Sequence, residues 1–249
     1  GAGDSTELPG VKAYRDGLNS YPRQIRARLS EDMQFKVVDL LEKIAPLVEI
    51  NNFVDLGCGS WDSIQVFDKL LSPKRIFGFE AHPDNFTKAV QWHKDDPRIK
   101  IFSSAVSDFD GQTTLHIHPS SPSGHSLKKF SFGEKPLEIA SVRLDTWAAQ
   151  NGIKTLDLVK TDTQGNDFEV IKGMGEYLRT VQILCMELWF CQGAYEETFL
   201  IGEVLQYLAV YGLRFYNFEC LSMRSNGILR WGDAVFVREE LFKKLANKS

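Results

Sequence analysis

Hydrophobic positions change period repeatedly along this chain. Ser30 followed by Glu31 and Asp32 has the form of a helix start, and Val37, Leu40, Leu41, Ile44 and Val48 then fall at helical spacing, which predicts a long first helix. Short β-rich runs and helical patterns alternate after it. Phe53–Leu56 leads into Ile64–Leu71, Ile76–Phe79 into Phe86–Trp92, Leu156–Val159 into Phe168–Leu178, and Val181–Met186 into Phe199–Val210, with a further strand at Ile99–Phe102. Such alternation predicts an α/β, doubly wound fold, a mostly parallel sheet with helices on both faces. Two places break it. Between Gly111 and Leu144 the strand-like runs Thr114–His118 and Ile139–Val142 flank "PSSPSGHSLKKFSFGEKP", a stretch of the length usually reserved for lids and binding loops. At the carboxyl end, "GLRFYNFE" and "GDAVFVR" are strand-like and joined by about a dozen residues without helical period, which predicts an antiparallel pair closing one sheet edge.

Composition narrows the class. A chain of 249 residues with 43% hydrophobic content can bury one large core, so a single domain over 25–249 is expected. It would carry an inserted hairpin and lid at about 111–144, behind a polar lead over 1–24 with little periodicity. The net charge of -4, with no dense Lys/Arg block, argues against nucleic acid or an acidic membrane as partner. No apolar run approaches the ~18–20 residues needed to span a bilayer, and the first residues lack a signal-peptide layout, so a cytoplasmic protein is expected. Cys58, Cys185, Cys191 and Cys220 are widely spaced, as free thiols in a reducing compartment would be.

The chemistry starts at "FVDLGCGSWDS". Its strand-then-glycine layout resembles a dinucleotide loop, but the third glycine of that fingerprint is replaced by Asp62, and Asp55 precedes Gly57 by two residues. Two carboxylates around the loop would repel a pyrophosphate by about a few kcal/mol at an effective dielectric near 20. A cationic ligand fits better. S-adenosylmethionine carries an ammonium and a sulfonium for Asp55 to attract, plus a carboxylate for free loop N–H groups. "RIFGFEAHP" adds Glu80 at the next strand end, placed to take both hydroxyls of an adenosine ribose. The alternative for either acid is a helix cap. A nicotinamide-dependent oxidoreductase is the rival, disfavoured by Asp62 and by the terminal strand pair.

At this point a family resemblance emerges. "FVDLGCGSWDS", "IFGFEAHPDNF", "IFSSAVSDFDG", Ser126-Leu127, "VRLDTW", "LDLVKTDTQGNDFEVIKGM" and "ILCMEL" resemble, in order and spacing, the FkbM-type S-adenosylmethionine-dependent methyltransferases over about Val37 to Arg238. Asp162 and Gly165 match the family's Lys-Ile-Asp-x-Glu-Gly-x-Glu pattern, whereas Gln164 and Asp167 replace its two glutamates, Thr161 its apolar residue, and Gly57-Cys58-Gly59-Ser60 its usual Gly-Ala-Asn. The resemblance implies a class I methyltransferase, Rossmann-like, with a seven-stranded sheet, that methylates a hydroxyl on a sugar or a polyketide-like metabolite. Carried onto this chain, it implies that Asp55, Gly57, Cys58, Gly59 and Ser60 hold the methionyl part and Glu80 the ribose. Ala81 and His82 would lie along the adenine edge, Ser104 and Ala105 would follow the third strand beside the adenine, and Asp162 would face the methyl group. A strand-to-turn transition is the plain alternative for Ser104 and Ala105.

Methyl transfer to a hydroxyl needs in-line positioning and a base for the departing proton. Asp162 is the first candidate, against a carboxylate that merely orders the next turn. Asp167 is the second, against favourable charge on an early helical turn. His125, in the Ser/Gly-rich loop, is a third candidate, as base or acceptor contact. Glu187 ends the following strand and could line the acceptor pocket. Trp189, Phe190 and Tyr195 could wall it or belong to the core. His116 and His118 share a strand face, which raises a metal site against a solvated face; no metal is expected. The expected partner is a small-molecule or glycan acceptor with a free hydroxyl. The second class of reading is a methyltransferase-fold binding protein without chemistry, kept open by Gln164 and Asp167.

Overall fold

The computed structural model describes residues 36–59, 63–121, 123–129, 135–191 and 199–247. In chain order its elements are α1 (Lys36–Ile44), a 3-10 turn (Ala45–Leu47), β1 (Asn52–Leu56), α2 (Ser63–Leu71), β2 (Arg75–Phe79), α3 (Pro83–His93), β3 (Ile99–Phe102), β4 (Ala105–Ser107), β5 (Gly111–Ile117), β6 (Lys135–Arg143) and α4 (Leu144–Gln150). There follow β7 (Leu158–Thr161), α5 (Asp167–Lys172), a 3-10 turn (Gly175–Thr180), β8 (Ile183–Trp189), α6 (Ile201–Val210), β9 (Leu213–Met223), β10 (Leu229–Arg238) and α7 (Glu239–Ala246).

One seven-stranded sheet has the order β3-β2-β1-β7-β8-β10-β9, and a three-stranded sheet has the order β4-β6-β5. In the large sheet β10 runs antiparallel to both β8 and β9, and the other pairs are parallel. The central strands β1, β7 and β8 are buried at every position, as strands covered on both faces must be. Successive residues go to opposite faces. Phe53, Leu158, Ile183 and Val235 join the core under α1, α2, α3 and α7, while Val54, Val159, Leu184 and Ala234 join the core under α4, α5 and α6.

Several boundaries move for physical reasons. β7 begins at Leu158 rather than Leu156, because Asp157 is diverted to accept the N–H groups of Asn51 and Asn52, each at 2.9 Å, and so ties down the start of β1. The helix expected over Phe168–Leu178 ends at Lys172. A Cβ on Gly173 would lie 2.1 Å from the Ser107 carbonyl oxygen, so the chain presses against β4 there and resumes as the 3-10 turn. β9 and β10 run further than expected and meet in a short turn over 224–228. The first helix stops at Ile44 ahead of Pro46, and its expected start at Ser30 lies outside the described residues, as does the lead over 1–24. Helices α4 and α7, and the pairing of β4 with β6, were not anticipated by the periodicity.

Candidate active site

Strands β1, β2 and β7 end beside one another, and their turns define a crevice. The first turn depends on Gly57. Its φ of 87° is left-handed, and a Cβ there would lie 2.3 Å from the Asp162 carbonyl oxygen, so only glycine lets the end of β1 pass the end of β7. The loop N–H groups are not free, contrary to expectation. Those of Gly57 and Cys58 donate to the Phe79 carbonyl at 2.8 and 3.2 Å, and that of Gly59 donates to Glu80 Oε2 at 2.9 Å. The loop is thereby tied to the end of β2. Residues 60–62, including Ser60 and Asp62, lie outside the described residues.

Glu80 combines two roles. Its Oε1 accepts the N–H of His82, the N-cap of α3, at 2.8 Å, while its Oε2 accepts Gly59. The side chain lines the crevice. Burial raises its pKa, against the pull of these N–H donors. Ala81, Ser104 and Ala105 line the same crevice, as do Gly57, His125 and Asp162.

Asp55 lies beneath the crevice floor, fully buried. Its Oδ2 accepts the Ser63 hydroxyl at the start of α2, and its Oδ1 is 3.5 Å from Lys160 Nζ. Asp55 and Lys160 are paired residues in the register of β1 and β7. The ammonium also sits 3.7 Å from Asp162 Oδ2. Three neighbouring acids hold Lys160 in its charged form despite burial, with Asp55 the strongest, whereas loss of solvent raises Asp55 against the pull of Lys160 and Ser63. The two shifts act in opposite senses on one pair. Lys160 and the Ser63 hydroxyl both stabilise the carboxylate form of Asp55.

Asp162 follows β7 with its side chain 28% exposed, whereas Asp55 and Asp167 are sealed. Its N–H donates to Leu56 O at 3.0 Å, and its Oδ1 accepts Gln164 Nε2 at 2.6 Å. Gln164 is left-handed, with φ of 53°. Asp167 is fully buried behind it, its Oδ1 accepting the Thr161 hydroxyl at 2.7 Å and the Thr163 N–H at 3.1 Å. Burial pushes Asp167 up to about 6, and it pushes Glu187, at the end of β8, well above the carboxylate range. Asp233 on β10 rises to about 6 and Glu219 on β9 to about 8, again chiefly through burial.

This acidic wall sets a pH dependence. A carboxyl whose folded pKa lies above its unfolded value of about 4 binds a proton that the unfolded chain has already released, so stability falls as pH rises between the two values. For Asp167 and Asp233 that window ends near 6, and for Glu219 near 8. Their contribution to urea-unfolding stability should therefore decline from pH 4 to 8, by at most about 1.4 kcal/mol per pH unit for each such proton. Glu219→Gln should flatten the profile above pH 6. A variant profile parallel to wild type there would refute the shift assigned to Glu219.

The other sequence candidates are distributed as follows. The Cys58 thiol is buried in the core under α2 and does not face the crevice, and the four cysteines are free. Gly59 packs on Asn85, whose carbonyl oxygen would lie 2.6 Å from an added Cβ. His82 stacks on His125 with ring centroids 4.3 Å apart, and burial pulls the His125 pKa down to about 4. His125 Nδ1 accepts the His118 N–H at 3.1 Å, so in the neutral ring the proton is on Nε2 and neither nitrogen is free to take another. Trp189 is a buried core residue, Phe190 packs on Phe218, and Tyr195 lies outside the described residues. No group of three or more His, Cys, Asp or Glu suited to a metal comes together among the described residues, and no helix there is long and apolar enough to cross a membrane.

Sequence reasoning passed over Lys160, Asn85, Thr163 and Asn166. A lone lysine inside the apolar run "LDLVKT" was the available signal for Lys160. Asn166, buried, donates to the Val106 carbonyl at 3.1 Å and fastens the β7–α5 turn to β4.

With the strands of the large sheet counted in chain order, the order is 3-2-1-4-5-7-6 with an antiparallel last strand, and the crevice lies outside the carboxyl ends of its central strands. This architecture is that of a class I methyltransferase. The profile of the Methyltransferase FkbM domain matches residues 50–219, and the chain belongs to that family. Among curated proteins it is similar to the 2-O-methyltransferase NoeI of Sinorhizobium fredii, 25% identical over 195 residues that cover 72% of this chain and 77% of NoeI. Among solved structures it is similar to an rRNA methylase from Streptococcus thermophilus, with a TM-score of 0.46, 10% identity, and coverage of 80% of this chain and 94% of that one. It is also similar to M. capricolum TrmK in complex with S-adenosylhomocysteine, with a TM-score of 0.44, 8% identity, and coverage of 80% and 67%.

Proposed function

We propose that the protein is an S-adenosylmethionine-dependent O-methyltransferase acting on a hydroxyl of a small glycan or secondary metabolite. The observation that carries the cofactor is Glu80, a crevice-lining carboxylate held in place by the backbone N–H groups of Gly59 and His82 and so oriented to accept the paired hydroxyls of a ribose. The chain fits such a ligand. Leu56, Phe79, Ala81, Val106, Leu115 and Leu127 give apolar walls for a purine, and Gly57 allows close approach. When bound, S-adenosylmethionine supplies an electrophilic methyl group on a sulfonium sulfur. The chain's own part is to orient the acceptor and to take its proton. Asp162 does the latter: it lines the crevice beside Glu80, which is given to the ribose, while Asp55 and Asp167 are sealed below it. The hydroxyl acceptor is supported by the likeness to NoeI, a 2-O-methyltransferase.

Thermal unfolding with S-adenosylmethionine, S-adenosylhomocysteine and NADH, each at about 100 times its dissociation constant, tests this reading. A ligand at that level stabilises by about 2.7 kcal/mol, which for a domain of this size raises Tm by about 5–10 °C. Shifts with the two sulfur ligands alone are expected. A shift with NADH alone would move the oxidoreductase reading to the front.

A further inference from the structure

Ser123, His125, Ser126 and Leu127 line the same crevice as Glu80 and Ala81, the residues assigned above to the adenosine half of the ligand. Three fastenings hold this stretch down. Ser126 is almost fully buried; its hydroxyl donates to the Gln164 carbonyl at 2.5 Å, and its backbone exchanges two hydrogen bonds with His116 on β5, at 2.7 and 3.2 Å. Lys128 Nζ pairs with Glu169 on α5 at 3.2 Å, the two side chains being 18% and 19% exposed. The His125 ring lies on His82 at the start of α3. The loop is further ordered by His118, whose Nδ1 accepts the N–H groups of Ser120 and Ser121 at 3.2 and 2.9 Å.

We infer that Ser123–Lys128 is a strap that forms the third wall of the cofactor site, with His125 and Ser126 as cofactor-site residues, and that its fastenings control the exit of an adenosyl thioether. Ser123–Lys128 thus belongs to the cofactor site. This inference rests on the cofactor reading above. A ligand enclosed between Glu80 and the strap leaves only when the Ser126–Gln164, Lys128–Glu169 and His125–His82 contacts part, so removing one of them speeds departure.

The test needs no acceptor. Dissociation of S-adenosylhomocysteine is followed by stopped-flow displacement for wild type, Ser126→Ala, His125→Ala and Lys128→Glu, with circular dichroism confirming each fold. Each variant should release the ligand about tenfold faster. Lys128→Glu combined with Glu169→Lys should bring the rate back toward wild type, which a loosened fold would not do, and this surface pair serves where Ser126→Ala fails to fold. Binding by wild type with off-rates in all folded variants within twofold of it would overturn the strap alone. Failure of wild type to bind S-adenosylhomocysteine would overturn the cofactor reading, and the strap with it.

Discussion

Asp162→Asn should lower methyl transfer by about 10²–10⁴-fold, the usual contribution of a positioned general base, while leaving affinity for S-adenosylhomocysteine within about threefold. Asparagine keeps the shape and can still face Gln164, but it cannot hold the acceptor's proton. The carboxylate is built to be oriented. Its backbone N–H is pinned to Leu56 at 3.0 Å, one oxygen accepts Gln164 at 2.6 Å, and the other faces Lys160 at 3.7 Å. Its rivals are worse placed. Asp167 is sealed behind two hydrogen bonds, Glu187 is buried with its pKa pushed well up, and His125 spends its one free nitrogen on a backbone N–H. Single-turnover transfer of labelled methyl to a panel of hydroxylated glycans and metabolites, with calorimetry of S-adenosylhomocysteine on the same preparations, separates the outcomes. A variant that binds and turns over like wild type removes Asp162 as the base. Loss of both binding and turnover makes it a structural residue.

The sheet was legible because its central strands obey a period that burial on both faces imposes. Phe53-Val54, Leu158-Val159 and Ile183-Leu184 send one side chain to each core, and no other arrangement of such apolar runs avoids exposing them. Gly57 was legible for a similar reason, since a strand turning back beside another strand end leaves no room for a Cβ. What escaped the sequence depends on contacts between distant segments. The end of α5 is set by Gly173 meeting Ser107, and the use of the loop N–H groups by Phe79 and Glu80. Neither leaves a periodic trace. Asp55 is the sharpest case. The residues around it correctly marked the turn as special, but strand register, which a single sequence does not display, decides that its near charge is Lys160.

Lys160→Met should destabilise the fold by about 3–5 kcal/mol, because it leaves a buried carboxylate without its cation. Asp55 has no exposed surface, and the Ser63 hydroxyl is left as its hydrogen-bond donor among the described residues. Asp162 and Asp233 also feel the ammonium, so its loss raises the negative charge of the whole acidic wall. Methionine fills much the same volume, which keeps a cavity from accounting for the change. Urea unfolding at pH 7 measures the loss, and two controls identify its cause. Adding Asp55→Asn to Lys160→Met should recover part of it, a coupling that a double-mutant cycle reads directly. Lowering the pH should narrow the gap between wild type and Lys160→Met. The sign follows from Asp55: its folded pKa is already raised by burial and rises further without Lys160, so acid neutralises the unpaired carboxylate in the variant first. A loss under about 1 kcal/mol, or a gap that stays constant down to pH 4, would mean that Lys160 packs as an aliphatic stem and that the Asp55 pair is not what holds the ends of β1 and β7 together.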